Sequence, residues 1–323
     1  MDIEPRDLTL ATLAQHFSDE GAAYTFVESI RWPDGEPICP HCGVIGHAYF
    51  LQPKNEEGRK TRTGKVSARR VWKCGACRKQ FSVLVGTIFE GSKIPLFKWL
   101  LAFHMIAAAK NGVAAFELHR TLKISTESAW FMAHRIRYAL EGETPTEPLS
   151  GTVEADETYI GGSAKNIHAR QRKERIVGRG MVDKTAVVSL VQRGGDVRSQ
   201  VMHETVTGST LAPVLRKQIA ADAHLMTDTF GGYAQIGKEF ASHQTVNHSK
   251  DEYVRGNAYT NTAEGYFSQL KRSIDGTHHH VSKHHLHRYV SEFDYRYNSR
   301  KGTDGERTVQ AIRQTAGKRL RYT

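Results

Sequence analysis

The stretch from Gly151 to Gly162, GTVEADETYIGG, restricts the fold more than any other part of the chain. It reads as a strand over 152–160 that runs into a glycine pair. Alternation puts Glu154 and Asp156 on one face, with Val153, Ala155 and Tyr159 broadly on the other. Two acids in the middle of an apolar strand are costly to bury unless something positive compensates them, and in a site open to substrate a divalent cation is the commonest compensation.

Two later acids complete a pattern. Asp228 closes the apolar segment HLMTD, so a short strand over 224–228 again delivers a carboxylate at its end, just before Gly231 and Gly232. Glu264 lies in TNTAEGYFSQLKR, where Ala263, Phe267, Leu270 and Ile274 recur at helical spacing as the packed stripe, while Asn261, Glu264, Ser268 and Lys271 follow a neighbouring face. Two strand-borne aspartates and a helix-borne glutamate suit two-metal phosphoryl transfer, in which carboxylates hold two Mg²⁺ (or Mn²⁺) ions roughly 3.5–4 Å apart.

The 35 residues between Asp228 and Glu264, and the lysine seven residues after the glutamate, resemble the DDE transposases. More narrowly, VEADETYIGG, LMTD and YTNTAEGYFSQLKRSIDGTHHHVSKHHLHRYVSEFDYRYNSR are similar to bacterial insertion-sequence transposases of the ISXO-like family. The resemblance runs from about Phe17 to Arg300. It implies an N-terminal zinc ribbon joined to a ribonuclease-H-like DDE domain, with Asp156, Asp228 and Glu264 as metal-binding catalytic acids and Lys271 as the basic residue that follows them. Members differ at the third acidic position, some using Asn; Asn261 is therefore the alternative to Glu264. The resemblance further implies action on double-stranded DNA, at the inverted repeats of the element and at its target, by a homodimer or higher oligomer.

All four cysteines fall into two knuckles, Cys39-Pro-His-Cys42 and Cys74-Gly-Ala-Cys77, separated by 31 residues. Two such knuckles close a four-thiolate Zn²⁺ site, and a small ribbon has too little core to fold without one. The gap predicts an extended hairpin or loop over 53–67. From Lys54 to Lys79 ten Lys or Arg face two acids, Glu56 and Glu57. Beside a ribbon such a run favours phosphate contact over a merely solvated face, with Arg69, Arg70 and Lys73 as contacts.

Ahead of the ribbon, residues 8–31 read as one or two amphipathic helices with Leu8, Leu13, Phe17, Tyr24, Val27 and Ile30 as core, broken at Trp32-Pro33-Asp34-Gly35. After it, 86–140 is helical throughout. Helices over 96–110, 113–122 and 125–140 resemble a helix-turn-helix whose last member carries Trp130, His134, Arg135 and Arg137; Arg135 and Arg137 are the expected DNA contacts, joined by Lys271 and Arg272 further on. The polar, proline-bearing stretch 141–150 marks a linker. Beyond it, strands and helices alternate around a basic loop over 163–179, which predicts a mixed sheet flanked by helices. The chain thus reads as a multidomain α/β protein: a helical segment 1–35, a ribbon 36–85, a helix-turn-helix region 86–145, a catalytic domain 150–300 and a C-terminal tail 301–323 that forms a loosely attached helix.

The 323 residues carry a net charge of +11, which favours a polyanionic partner because neutralised phosphates release counterions. The acidic opening MDIEPRDLTL lacks the apolar core of a signal peptide, and the run from Pro95 to Ala109 is too short to span a bilayer. A cytoplasmic, nucleoid-associated bacterial protein with no membrane partner is expected. The histidine-rich stretch 276–300 alternates with Lys and Arg near the expected phosphate site, which argues against a further metal site, and the family resemblance implies DNA contact or packing around the Glu264 helix. The main reading is an insertion-sequence transposase that cleaves and joins DNA. Its rivals are a DNA-binding regulator with an inactive catalytic domain and a ribonuclease-H-like nuclease.

Overall fold

The computed structural model describes the chain except residues 1–3, 18, 54–58, 61–63, 65, 68, 143–146, 162–183, 248–249, 251, 253 and 321–323. The basic loop 163–179, much of the run 54–79 and part of the linker lie outside the described residues. The chain divides into two compact units, Met1–Leu140 with Lys301–Thr323, and Glu141–Arg300.

In the first unit a capping box between Thr9 and Thr12 starts α1 (Leu10–His16), and Asp19 caps α2 (Glu20–Arg31) by accepting from the Gly21 and Ala22 amides. All six apolar positions expected of this segment are buried. Strands β1 (Ala48–Phe50), β4 (Trp72–Cys74) and β5 (Gln80–Phe81) form an antiparallel sheet, while β2 (Arg59–Lys60) and β3 (Val66–Ser67) pair as a separate hairpin within the long gap between the knuckles. Trp32 meets Trp72 and Phe81 edge-on at 5.7 and 6.2 Å. The buried Glu28 accepts from both Arg70 Nε and Trp72 Nε1 at 2.8 Å, tying the ribbon to α2.

Helices α3 (Leu96–Ala108), α4 (Ala115–Leu122) and α5 (Thr126–Leu140) follow. Lys123 adopts the left-handed conformation that ends α4, and a three-residue turn leads into the longer α5, the order of a helix-turn-helix. The segment after Lys301 is not a loosely attached tail. Thr303 and Glu306 form a capping box for a helix over Asp304–Arg313, whose Thr308, Val309, Ala311 and Ile312 are buried. Its close approach depends on Gly305: a Cβ there would lie 1.8 Å from the Pro5 carbonyl and 2.7 Å from Leu8 Cβ.

The second unit is built on a five-stranded sheet of order β10-β9-β6-β7-β8. Strands β6 (Thr152–Gly161), β7 (Lys184–Gln192) and β8 (Val197–Met202) run antiparallel in sequence, and β9 (His224–Asp228) and β10 (Ser242–Val246) add parallel to β6. The crossover from β8 to β9 contains α6 (Gly208–Gln218). Side chains of Val153, Ala155, Leu211 and Leu215 fill one face of the sheet. On the other, Val187 and Val191 pack against α7 (Asn261–Arg272) and α8 (Leu286–Asn298) through Ala263, Phe267, Leu270 and Phe293. The result is a mixed sheet with helices on both faces. Residues after β9 form two short 3₁₀ turns, Gly231–Tyr233 and Ile236–Glu239, because the glycines there favour tight turns over a continuous helix.

Gly305→Ala should lower stability by about 2 kcal/mol or more, since backbone rather than a movable side chain blocks the added methyl. The expected outcome is a fall in Tm of several degrees for the first unit; an unchanged melting curve would show that the C-terminal helix is not anchored at this position.

Candidate active site and metal centre

The two cysteine knuckles are the same local structure built twice. In the first, the Gly43 amide donates to the Cys39 carbonyl at 2.9 Å and the Cys39 amide to the Val44 carbonyl at 3.0 Å. In the second, the Arg78 amide donates to the Cys74 carbonyl at 3.1 Å and the Cys74 amide to the Lys79 carbonyl at 3.0 Å. Gly43 and Arg78 both have positive φ, 74° and 62°, so each chain turns back directly after its second cysteine. The four sulfurs lie within 4.8 Å of one another, with Cys39–Cys77 and Cys42–Cys74 each 3.7 Å apart. Tetrahedral coordination with metal–sulfur bonds of about 2.3 Å places the sulfurs about 3.8 Å apart, so the set fits a zinc ion. Backbone amides of Cys77 and Ala76 favour the thiolate of Cys74 and bring its pKa down to about 7, the ionisation a metal ligand needs.

In the second unit, parallel pairing sets Glu154 opposite Met226. The β6–β9 ladder ends at that pair, and Asp156 and Asp228 each lie two residues beyond it on their own strands, close enough for their charges to interact. Asp156 is half-buried, and its pKa is pushed up to about 7, first by burial and further by the charges of Glu157, Asp228 and Glu264. An acid raised by three acidic neighbours is one whose ionised form a divalent cation would stabilise. Asp156, Glu157 and Thr158 line a cavity of about 750 Å³ together with Glu264, Ser268, Lys271, Arg272 and Asp275. Asp228 does not line it, and its Oδ1 accepts from the Phe230 amide at 2.8 Å. Glu264 is exposed on α7, as is Asn261 in its first turn. Among the described residues, the four cysteines are the ones whose ligand atoms are drawn into a tight metal-binding group; the three acids share a neighbourhood without closing to that degree.

Glu154 does not have the role its place in the sequence suggests. It shares a strand face with Asp156, yet it is fully buried and its compensation comes from the protein rather than from a cation. Its oxygens accept from Arg193 Nε at 2.7 Å, the Thr262 amide at 2.8 Å, the Thr262 hydroxyl at 2.9 Å and the Ala263 amide at 3.0 Å. Sequence reasoning missed Arg193, which sits beside the Gly194–Gly195 turn between β7 and β8 and carries no local sign of a partner 39 residues away. It also missed Tyr233, buried on the opposite side of the sheet, whose hydroxyl donates to Glu157 at 2.8 Å.

The expected DNA contacts divide. Arg137 is 1% exposed and donates to the Val113 carbonyl at 3.3 Å, so it cannot reach a phosphate; α5 turns that face into the core, along with His134. Arg135 is half-buried and donates to the Ile88 carbonyl at 3.0 Å. Arg70 is held by Glu28. Arg69 is exposed, with a hydrogen bond to Ser82, and Lys73 is half-buried. Lys271 and Arg272 are exposed at the cavity. No group of histidines in 276–300 gathers into a metal site among the described residues.

Residues 148–298 match the ISXO2-like transposase domain and residues 18–80 the transposase zinc-ribbon domain. A protein in transposable element ISH50 of Halobacterium salinarum is 27% identical over 287 residues, 87% of this chain and 91% of that one. A transposase-like protein of Haemophilus influenzae is 27% identical over 99 residues, 31% of this chain and 79% of that one. Among solved structures, a Mos1 transposase paired-end complex with the left transposon end aligns over 64% of this chain and 71% of its own, at 10% identity and a TM-score of 0.28, too distant to establish a shared fold. The ribbon and the sheet domain each match a transposase model, so the chain carries a transposase zinc-ribbon domain followed by an ISXO2-like transposase domain.

Proposed function

We propose that this protein is an active DNA transposase that binds the inverted ends of its element and catalyses metal-dependent strand cleavage and strand transfer. The observation that supports the reading is that the charges of Asp228 and Glu264 both act on Asp156, with Asp156, Glu264 and Lys271 bordering one cavity. In this reading Asp156, Asp228 and Glu264 hold divalent cations. Mg²⁺ or Mn²⁺, when bound, activates water or a 3′-hydroxyl for attack and stabilises the oxygen that leaves. The chain's own contribution is to fix three carboxylates on rigid elements and to neutralise backbone phosphate with Lys271 and Arg272. Glu157, held by Tyr233, keeps its carboxylate beside Asp156 and Asp228 and can orient solvent there.

The ribbon supports end binding. With zinc on Cys39, Cys42, Cys74 and Cys77, the sheet carrying Lys73 becomes rigid, and exposed Arg69 offers a phosphate contact. Because Arg137 faces the core and Arg135 is held by a backbone carbonyl, α5 would present its first turn rather than its basic centre to DNA, the part of a recognition helix that ordinarily meets base edges. Double-stranded DNA at both element ends calls for at least two copies of the chain.

Purified protein should contain about one Zn²⁺ per chain by elemental analysis, and Cys74→Ala should lose it together with end binding; a zinc-free protein that binds ends normally would remove the ribbon from the reading. Asp156→Ala, Asp228→Ala and Glu264→Ala should each abolish joining of a pre-cut element end to plasmid DNA in Mg²⁺, because loss of one metal site withdraws several kcal/mol of charge stabilisation, and each should bind ends like the parent. Asn261→Ala should remain active, and Lys271→Ala should lose less than any acid variant. Strand transfer surviving in Asp156→Ala would overturn the mechanism, and a dead Asn261→Ala beside a live Glu264→Ala would move the third ligand to Asn261.

A further inference from the structure

Helix α7, which carries Glu264, makes no cap of its own: the side chain of its N-cap residue, Thr260, forms no capping hydrogen bond. Amides at the second and third helical positions ordinarily require an oxygen from the N-cap side chain. Here those positions are Thr262 and Ala263, and both amides donate to Glu154 Oε2, at 2.8 and 3.0 Å. Glu154 lies 108 residues earlier, on the strand that carries Asp156. The carboxylate also sits at the positive end of the helix dipole, where a negative charge is favoured.

Arg193 completes the arrangement from the other side. Its Nε donates to Glu154 Oε1 at 2.7 Å, while its terminal nitrogens donate to the carbonyls of Asn257 and Tyr259, each at 2.9 Å. The guanidinium stacks 3.4 Å from the centre of the Tyr259 ring. One fully buried acid and one arginine therefore grip both the approach to α7 and its first turn. Glu264 is the next residue after Ala263, and Asp156 is two residues from Glu154 on the same strand face.

We propose that Glu154 and Arg193 are positioning residues for the Asp156–Asp228–Glu264 centre, with Glu154 acting as a long-range N-cap that sets the distance and angle of Glu264 relative to Asp156. The inference rests on the transposase reading, since it is the metal centre of that reading which the cap would hold together. Neither residue touches the reacting atoms. A second anchor holds α7 one turn further on, where the Tyr266 hydroxyl donates to Asp294 at 2.6 Å and the Ser199 amide and hydroxyl donate to the same carboxylate, each at 2.7 Å. Loss of the cap should therefore loosen the first turn without releasing the helix.

The test uses the full-length protein and three variants. Glu154→Gln keeps the shape but turns an amide donor toward donors, so one of the contacts must fail. Arg193→Lys cannot reach Glu154, Asn257 and Tyr259 at once. Thr262→Val removes the hydroxyl contact alone and serves if Glu154→Gln does not fold. Hydrogen exchange of the amides in 260–265 should speed up about tenfold in Glu154→Gln, the size expected for loss of a helix cap, and about threefold in Thr262→Val, with the sheet amides unchanged. Binding of Mn²⁺ alone, followed by its electron-spin signal, should weaken about tenfold. The Mg²⁺ needed for half-maximal strand transfer should rise in parallel, with high Mg²⁺ restoring part of the rate and end binding within about twofold of the parent. Parental exchange at 260–265 and parental Mn²⁺ affinity in Glu154→Gln and Arg193→Lys would overturn the proposal and leave the transposase reading standing. Absence of strand transfer in the parent, or its persistence in Asp156→Ala, would defeat the reading itself.

Discussion

A carboxylate with no access to water must be compensated from within the protein, and at Glu154 that requirement joins the two elements that carry Asp156 and Glu264. The ion pair with Arg193 would not by itself favour burial, because removing two charges from water can outweigh their attraction. Three further donors from the start of α7 change the balance. They satisfy the lone pairs of the acid and, in the same contacts, the orphan amides of a helix that lacks a cap of its own. Strand β6 and helix α7 are thereby fixed to each other at the point where each is about to present one of the acids proposed as catalytic.

Asp156 shows what happens two residues away when no such compensation exists. It projects from the same face of the same strand, but burial, and after it the charges of Glu157, Asp228 and Glu264, drive its pKa up to about 7. The contrast follows from topology. The antiparallel hairpin from β6 to β7 brings Arg193 back beside Glu154, whereas the parallel neighbour β9 ends in Asp228, whose charge acts on Asp156. Glu154 is given a cation by the protein; in the proposed reading Asp156 takes one from solution. The ribbon solves the same problem on a smaller scale, its paired knuckles holding four sulfurs at spacings that suit a single zinc ion.

Local patterns made much of this legible. The cysteine knuckles, the strand ending in Asp228 and the helical stripe around Glu264 are all encoded within a dozen residues. So is the alternation of β6, which correctly put Glu154 and Asp156 on one face but could not tell them apart, because what separates them lies 39 and 108 residues downstream. The basic centre of α5 misled for a related reason. Arg137 has a polar end that suggests exposure, yet a carbonyl at Val113 receives it inside the core, and no pattern within the helix announces that acceptor. The segment after Lys301 is short and polar enough to read as a loosely attached helix; its attachment depends on the missing side chain of Gly305 together with the buried Val309, Ala311 and Ile312.

The central claim is that Asp156, Asp228 and Glu264 gather around one metal-binding position, and it can be tested without DNA. Fe²⁺ bound in place of Mg²⁺, with ascorbate and peroxide, generates hydroxyl radicals that cut the polypeptide backbone nearest the ion. The account predicts three clusters of cuts, near residues 156, 228 and 264, all suppressed by excess Mg²⁺ and all lost together in Asp156→Ala. Cuts confined to the histidine-rich stretch after residue 276, or a pattern indifferent to Mg²⁺, would contradict it.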